Sequence, residues 1–130
     1  YLNAFLGRRR NLNDEEYATM IRNSKLYINT LSPMGLVSPR FFECMASGAL
    51  IFCEESTLYN NIFPDDIYIT FRSDLSDYDE KLAHYLENKN DREKIVEKAY
   101  TVVQKDHTWA KRINTLLSAV EKQITAKYVA

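Results

Sequence analysis

Ala49-Leu50-Ile51-Phe52-Cys53 is an unbroken apolar run directly after Gly48, and it constrains the fold more than any other part of the chain. A strand with one wet face would alternate, so a continuous run predicts a strand covered on both sides. The residues before it read as a loop and a short helix. Pro39 suits an early helical position, where a missing N–H costs nothing. Phe41, Phe42, Cys44, Met45 and Ala46 make that helix too apolar for a solvent face. Gly48 can take the left-handed conformation that ends a helix. In open α/β sheets ligands sit outside the carboxyl ends of the strands, where helix N-termini aim their N–H groups. Arg40 and Glu43 are the charged residues nearest that edge.

The flanking segments extend the pattern. Asn13 to Ser24 reads as a helix: Asn13 can cap it, Glu16 sits three residues on as in a capping box, and Tyr17, Met20 and Ile21 share a face. Leu26 to Thr30 is a short strand, and with the loop, helix and strand after it completes a βαβ unit. Leu58 to Phe63 is expected to be a short helix that Pro64 breaks. Ile67 to Phe71, rich in β-branched and aromatic residues, is a third strand. Three helices are expected to follow: Asp77 to Asn88, one capped by Asn90 that carries Ile95, Val96, Ala99 and Val103, and an amphipathic last one opened by His107. The last carries Ile113, Leu116, Leu117, Val120 and Ile124. Alternation followed by a helical tail predicts an α/β domain with a short parallel sheet. The expectation is a single domain over residues 1–130, with 1–12 a poorly defined lead-in and 104–130 a C-terminal helix.

Composition narrows the function. With 17 basic and 18 acidic residues the net charge is −1, which gives no general attraction to nucleic acid or anionic membrane. No apolar stretch approaches the roughly 18–20 residues of a transmembrane span, and no charged-then-apolar leader is expected. Cys44 and Cys53 lie in apolar segments without metal-ligand spacing, and neither His84 nor His107 completes a zinc pattern. They read as buried reduced thiols of a cytoplasmic protein. Ser38, Ser47 and Ser56 have no neighbouring base. Neither a Gly-x-Gly-x-x-Gly fingerprint nor a Walker P-loop is present. The chain opens on Tyr1 rather than Met, so a piece of a longer polypeptide is expected.

Arg40 and Glu43 are three apart and can share a helix face. One reading is an exposed ion pair worth about 0.2–0.5 kcal/mol. The other is functional: a carboxylate offers acceptors to the vicinal hydroxyls of a ribose, while an arginine fork suits phosphate. For His107 and Trp109 a catalytic acid and a base-stacking platform are the functional reading. The preferred one makes Trp109 an anchor of the last helix against the core and His107 its entry. Arg8-Arg9-Arg10 reads as a solvated cluster that could also meet phosphate.

The ordered set resembles the carboxyl-terminal, donor-binding domain of GT-B glycosyltransferases, in the glycosyl transferases group 1 branch. The residues concerned are Asn23-Ser24-Lys25 before Leu26–Asn29, the run Arg40-Phe41-Phe42-Glu43-Cys44-Met45-Ala46-Ser47-Gly48-Ala49-Leu50, Asn90-Asp91-Arg92, and His107-Thr108-Trp109 with Arg112. The resemblance implies a Rossmann-like three-layer fold and a retaining transferase whose donor is a nucleotide-diphosphate sugar. No cofactor or metal is implied. Glu43 would hold the donor ribose, with Arg40 and the loop residues Gly35, Leu36, Val37 and Ser38 at the diphosphate and sugar. The acceptor would lie on an N-terminal domain of the same polypeptide. One departure stands out: relatives carry a Glu-x7-Glu pattern, and the position of its first glutamate is Gly35 here. Loss of that carboxylate keeps a second reading open, a non-catalytic nucleotide-binding or assembly module that retains the fold. No catalytic residue is assigned. A receiver-like signalling domain needs a cluster of acids at strand ends, and only Glu54-Glu55 follow a strand.

Overall fold

Burial of the apolar run organises the structure. The computed structural model describes residues 12–32 and 34–128, so Arg8-Arg9-Arg10, most of the lead-in and Pro33 lie outside the described residues. The elements in chain order are α1 (Asp14–Arg22), β1 (Leu26–Asn29), α2 (Pro39–Ala46), β2 (Leu50–Glu54), β3 (Ile69–Phe71), α3 (Tyr78–Glu87), α4 (Lys89–Asp106) and α5 (Trp109–Tyr128). The three strands form one parallel sheet in the order β1-β2-β3. Leu26 pairs with Leu50 and Asn29 with Cys53, while Phe52 pairs with Ile69 and Glu54 with Phe71. This is the α/β, Rossmann-like arrangement with a helical tail that the sequence predicts.

β2 is central, and Leu50, Ile51, Phe52 and Cys53 are all buried. Successive side chains of a strand point to opposite faces, so both faces need cover. Ile51 and Cys53 join the core with Phe41, Cys44 and Met45 of α2 and Ala99 and Val103 of α4. On the other face Phe52 meets Phe71 and Tyr78, with ring centroids 4.9 and 5.3 Å away, and Phe71 and Tyr78 lie 5.0 Å apart. Burial also pushes the Cys44 and Cys53 thiols up to about 12, so both are neutral and inert at ordinary pH.

The predicted stops and starts are built as the residue types dictate. Asn13 Oδ1 accepts from the Glu16 amide at 2.9 Å and Glu16 Oε2 accepts from the Asn13 amide at 3.1 Å, a complete capping box. Gly48 has φ +81, its amide donates to Met45 O at 3.4 Å, and the Ala49 amide donates to Cys44 O at 3.0 Å. Those two bonds form a Schellman closure, which turns the chain from α2 straight into β2.

Four expectations change. Leu58 to Phe63 is a run of turns rather than a helix. Ser56 Oγ accepts the Leu58 amide at 3.2 Å and adjacent Asn60 and Asn61 favour turn geometry, while Tyr59 and Phe63 pin the segment by burial. Ladder pairing in the third strand begins only at Ile69. α4 starts one residue before the expected Asn90 cap, and the flanking Asn88 side chain instead donates to His84 O at 2.9 Å. Arg92, the one buried charged residue among those described, donates to Tyr85 O at 2.6 Å and Leu86 O at 3.3 Å, which ties the end of α3 to α4.

The last change concerns α5, a helix of 20 residues and so about 30 Å long. It is amphipathic as expected, yet its apolar stripe of Ile113, Leu116, Leu117, Val120 and Ile124 stays 46–63% exposed. Among the described residues no helix is long and apolar enough to cross a membrane.

This division of burial predicts a contrast. Phe41→Ala should lower stability by about 3–5 kcal/mol through the cavity it leaves, whereas Leu116→Ala should change it by less than about 0.5 kcal/mol. Urea unfolding curves of the two variants measure both.

Candidate functional site

α2 has eight residues, and Phe41, Cys44 and Met45 bury one face of it. Helical periodicity then turns Phe42 and Glu43 outward at the other side. Ser38 caps the helix, its Oγ accepting the Arg40 amide at 3.3 Å, and Pro39 follows at the first helical position. Glu43 does not pair with Arg40. Its Oε2 accepts a hydrogen bond from the Tyr17 hydroxyl of α1 at 3.0 Å. Burial, and secondarily the bond to Glu43, pushes the Tyr17 hydroxyl from 10.0 up to about 12. Tyr17 is therefore a neutral donor across the physiological range, and it fixes one carboxylate oxygen while Oε1 stays available.

Glu43 lines a cavity of about 360 Å³ with Val37, Pro39, Phe42, His107, Trp109 and Arg112. The first four of these seven positions come from the start of α2 and its loop, the last three from the α4–α5 junction. His107 wedges between Phe42 and Phe63, with ring centroids 5.2 and 5.5 Å away. Burial, with the Arg112 charge as the second cause, lowers its pKa, so the ring is neutral. Its Nδ1 lies 3.2 Å from Arg112 Nη2 and, as an arginine only donates, accepts that bond. That bond occupies the one lone-pair nitrogen of a neutral imidazole, which leaves none free for general base work. Arg112 also places its Cζ 4.5 Å from the centroid of the Phe42 ring, a cation–π contact.

Of the donor-site residues singled out in the sequence, Glu43 and Val37 line this cavity, and His107 and Trp109 line it too. Arg40 is exposed on the helix and does not. Gly35 has φ +65 and closes a turn through its amide to Ser32 O at 2.9 Å; Ser32 Oγ accepts the Met34 amide at 3.3 Å. A Cβ at Gly35 would meet nothing within 4 Å, so the demand for glycine there comes from the left-handed backbone. The amides of Leu36, Val37 and Ser38 take part in none of the hydrogen bonds among the described residues. Trp109 does not anchor α5 in the core: it is 82% exposed at the cavity rim. His84 is exposed, with Nε2 3.3 Å from Asp91 Oδ2. A more open hollow lies beside Glu55, Ser56, Thr57 and Asp65, with no cation at its walls. Among the described residues no group of three or more His, Cys, Asp and Glu is gathered to hold a metal.

A family model described as glycosyl transferase-like matches residues 5–118. The chain belongs to that family. No curated protein matches it. Membership of the glycosyl transferase-like family supports a glycosyl transfer function in general terms, and the cavity at α2 is the natural place to seek its ligand. Sequence reasoning missed Phe42 and Arg112 as parts of that cavity and Tyr17 as the donor to Glu43, and it set aside Trp109. The spacing of Arg112 five residues after His107, on the first turn of a helix, was the available signal.

Tyr17 gives a titration test with a defined sign. A raised pKa means that the Tyr17–Glu43 contribution to stability is full below pH 10 and fades as pH climbs toward 12. Glu43→Gln should bring Tyr17 ionisation down from about 12, yet leave it above 10.0, because burial is the larger cause. Ultraviolet difference titration against Tyr17→Phe reads both effects.

Proposed function

We propose that this chain is the donor-binding half of a GT-B glycosyltransferase, taking a nucleotide-diphosphate sugar and transferring the sugar to an acceptor. The carrying observation is Glu43: its carboxylate is held on one oxygen by Tyr17 and opens on a cavity, rather than being sealed by packing. In this reading Oε1 of Glu43 accepts from the ribose hydroxyls. The open amides of Leu36, Val37 and Ser38, with the start of α2, face the diphosphate, and the helix dipole favours negative charge there. Bond cleavage leaves a nucleoside diphosphate, and fixed amides and cations stabilise the charge that develops on it.

The finer features belong to the same proposal. Retention of anomeric configuration and independence of a metal follow from the resemblance in the sequence. The acceptor sits on an N-terminal domain of the same polypeptide, and the exposed apolar stripe of α5 suits contact with such a half. Two buried free thiols agree with a reducing, cytoplasmic setting. A second reading, a nucleotide-binding or assembly module without transfer, has Gly35 in its favour. That position has no carboxylate, and a glutamate there would have to adopt φ +65, which costs about 1–2 kcal/mol for a residue with a Cβ.

Calorimetry with UDP, GDP and their sugars tests the reading. Glu43→Ala should weaken binding about tenfold or more, as hydrogen bonds to a charged group contribute about 1.5–3 kcal/mol. Equal heats for the two proteins would remove Glu43 from the site.

A further inference from the structure

The cavity presents opposite charges that do not meet. Glu43 and Arg112 both line it, yet among the described residues no ion pair joins them. Glu43 is oriented by Tyr17, and Arg112 is oriented separately by His107 and Phe42. A carboxylate and a guanidinium kept apart on the walls of one cavity fit a ligand with a hydroxyl-bearing part and an anionic part.

From this arrangement we infer that Arg112 is the residue that receives the phosphate groups of the donor, in place of the Arg40 expected from the sequence. The inference rests on the reading of Glu43 as the ribose site and extends it to the other end of the nucleotide. Three observations carry it. Among the described residues, Arg112 is the one guanidinium or ammonium lining the cavity, whereas Arg40 lies outside that lining. It is also held in place. The Phe42 ring supports its plane from one side, and the neutral His107 takes one N–H at 3.2 Å. Of five N–H donors on a guanidinium, that leaves several for a ligand, in the planar fork that matches phosphate. Its immediate partners, finally, do not neutralise it. His107 is uncharged and Phe42 is apolar, so neither cancels the positive charge.

His107 and Phe42 are positioning residues in this scheme. With its acceptor nitrogen bonded to Arg112, His107 is not available as a base and serves instead to fix the guanidinium. This gives the His107-x4-Arg112 spacing a physical purpose: the chain ends α4 at His107, turns, and returns Arg112 to the same imidazole on the first turn of α5.

The test is equilibrium binding to the full chain, with uridine, guanosine, UDP and GDP as probes. Arg112→Ala and Arg112→Gln should each weaken UDP or GDP about tenfold or more, and the matching nucleoside less than about twofold. Arg112→Lys should fall between, as it keeps the charge and loses the fork and the ring contact. Gln is included because it retains a polar, helix-compatible side chain, and near-ultraviolet circular dichroism verifies that each variant is folded. Equal losses for nucleoside and diphosphate, or no loss, would overturn the inference, as would a failure of the unaltered chain to bind either diphosphate. A loss confined to UDP-glucuronate, with UDP-glucose unaffected, would also overturn it and assign the anion to a sugar carboxylate. Glu43→Ala run alongside separates the two ideas. If it leaves nucleoside binding intact the ribose reading fails, while a phosphate-selective loss at Arg112 still stands.

Discussion

The rest of the structure depends on the anchoring of one short helix. Phe41, Cys44 and Met45 are almost fully buried between the sheet and α4, and a helix of eight residues held at three points has no rotational freedom left. Its outward side is then decided by the 100° advance per residue, which brings Glu43 and Phe42 to the surface together. The glycine closure after the helix fixes the other end, because it forces α2 to lead directly into the most buried strand. A carboxylate on such a platform is positioned by core packing rather than by a mobile loop. That is the rigidity a binding constellation requires.

Much of this was legible in the chain itself. The apolar run, the capping residues and the glycine stop each encode a local rule, and local rules that agree with the fold can be read without coordinates. What could not be read was which residues from distant segments share a cavity. Tyr17 looks from its spacing like one member of an apolar helix face, and nothing local says that its hydroxyl reaches residue 43. His107 and Trp109 sit at a junction whose direction depends on where α4 ends. Amphipathic periodicity marks the α5 stripe correctly, but periodicity reports which side is apolar and not whether anything covers it. The Leu58–Phe63 segment shows the opposite limit: buried aromatic residues at helical spacing were satisfied by turns, with the Ser56 side chain bonding the Leu58 amide and Asn60 accepting from the Tyr68 hydroxyl.

Polar economy links the two halves of the cavity. The polar partner that orients each charged group there is itself neutral: a tyrosine hydroxyl for the carboxylate, an imidazole for the guanidinium. Neutral partners steer without cancelling charge, so both groups stay electrostatically effective toward a third party. Had Glu43 and Arg112 been paired with each other, the attraction would have been internal and the cavity close to neutral. Tyr17, on α1, and His107, at the α4–α5 junction, lie far apart in the sequence, so the electrostatic layout of the cavity exists only in the folded state.

The two cysteines have a practical consequence. Both side chains are enclosed and protonated, which makes the native protein silent toward thiol reagents without any residue being removed. A cysteine introduced at the exposed rim position 109 would therefore be the single addressable thiol among the described residues. A fluorophore or spin label attached there would stand at the mouth of the cavity, where ligand entry could be followed in real time on an otherwise unaltered chain.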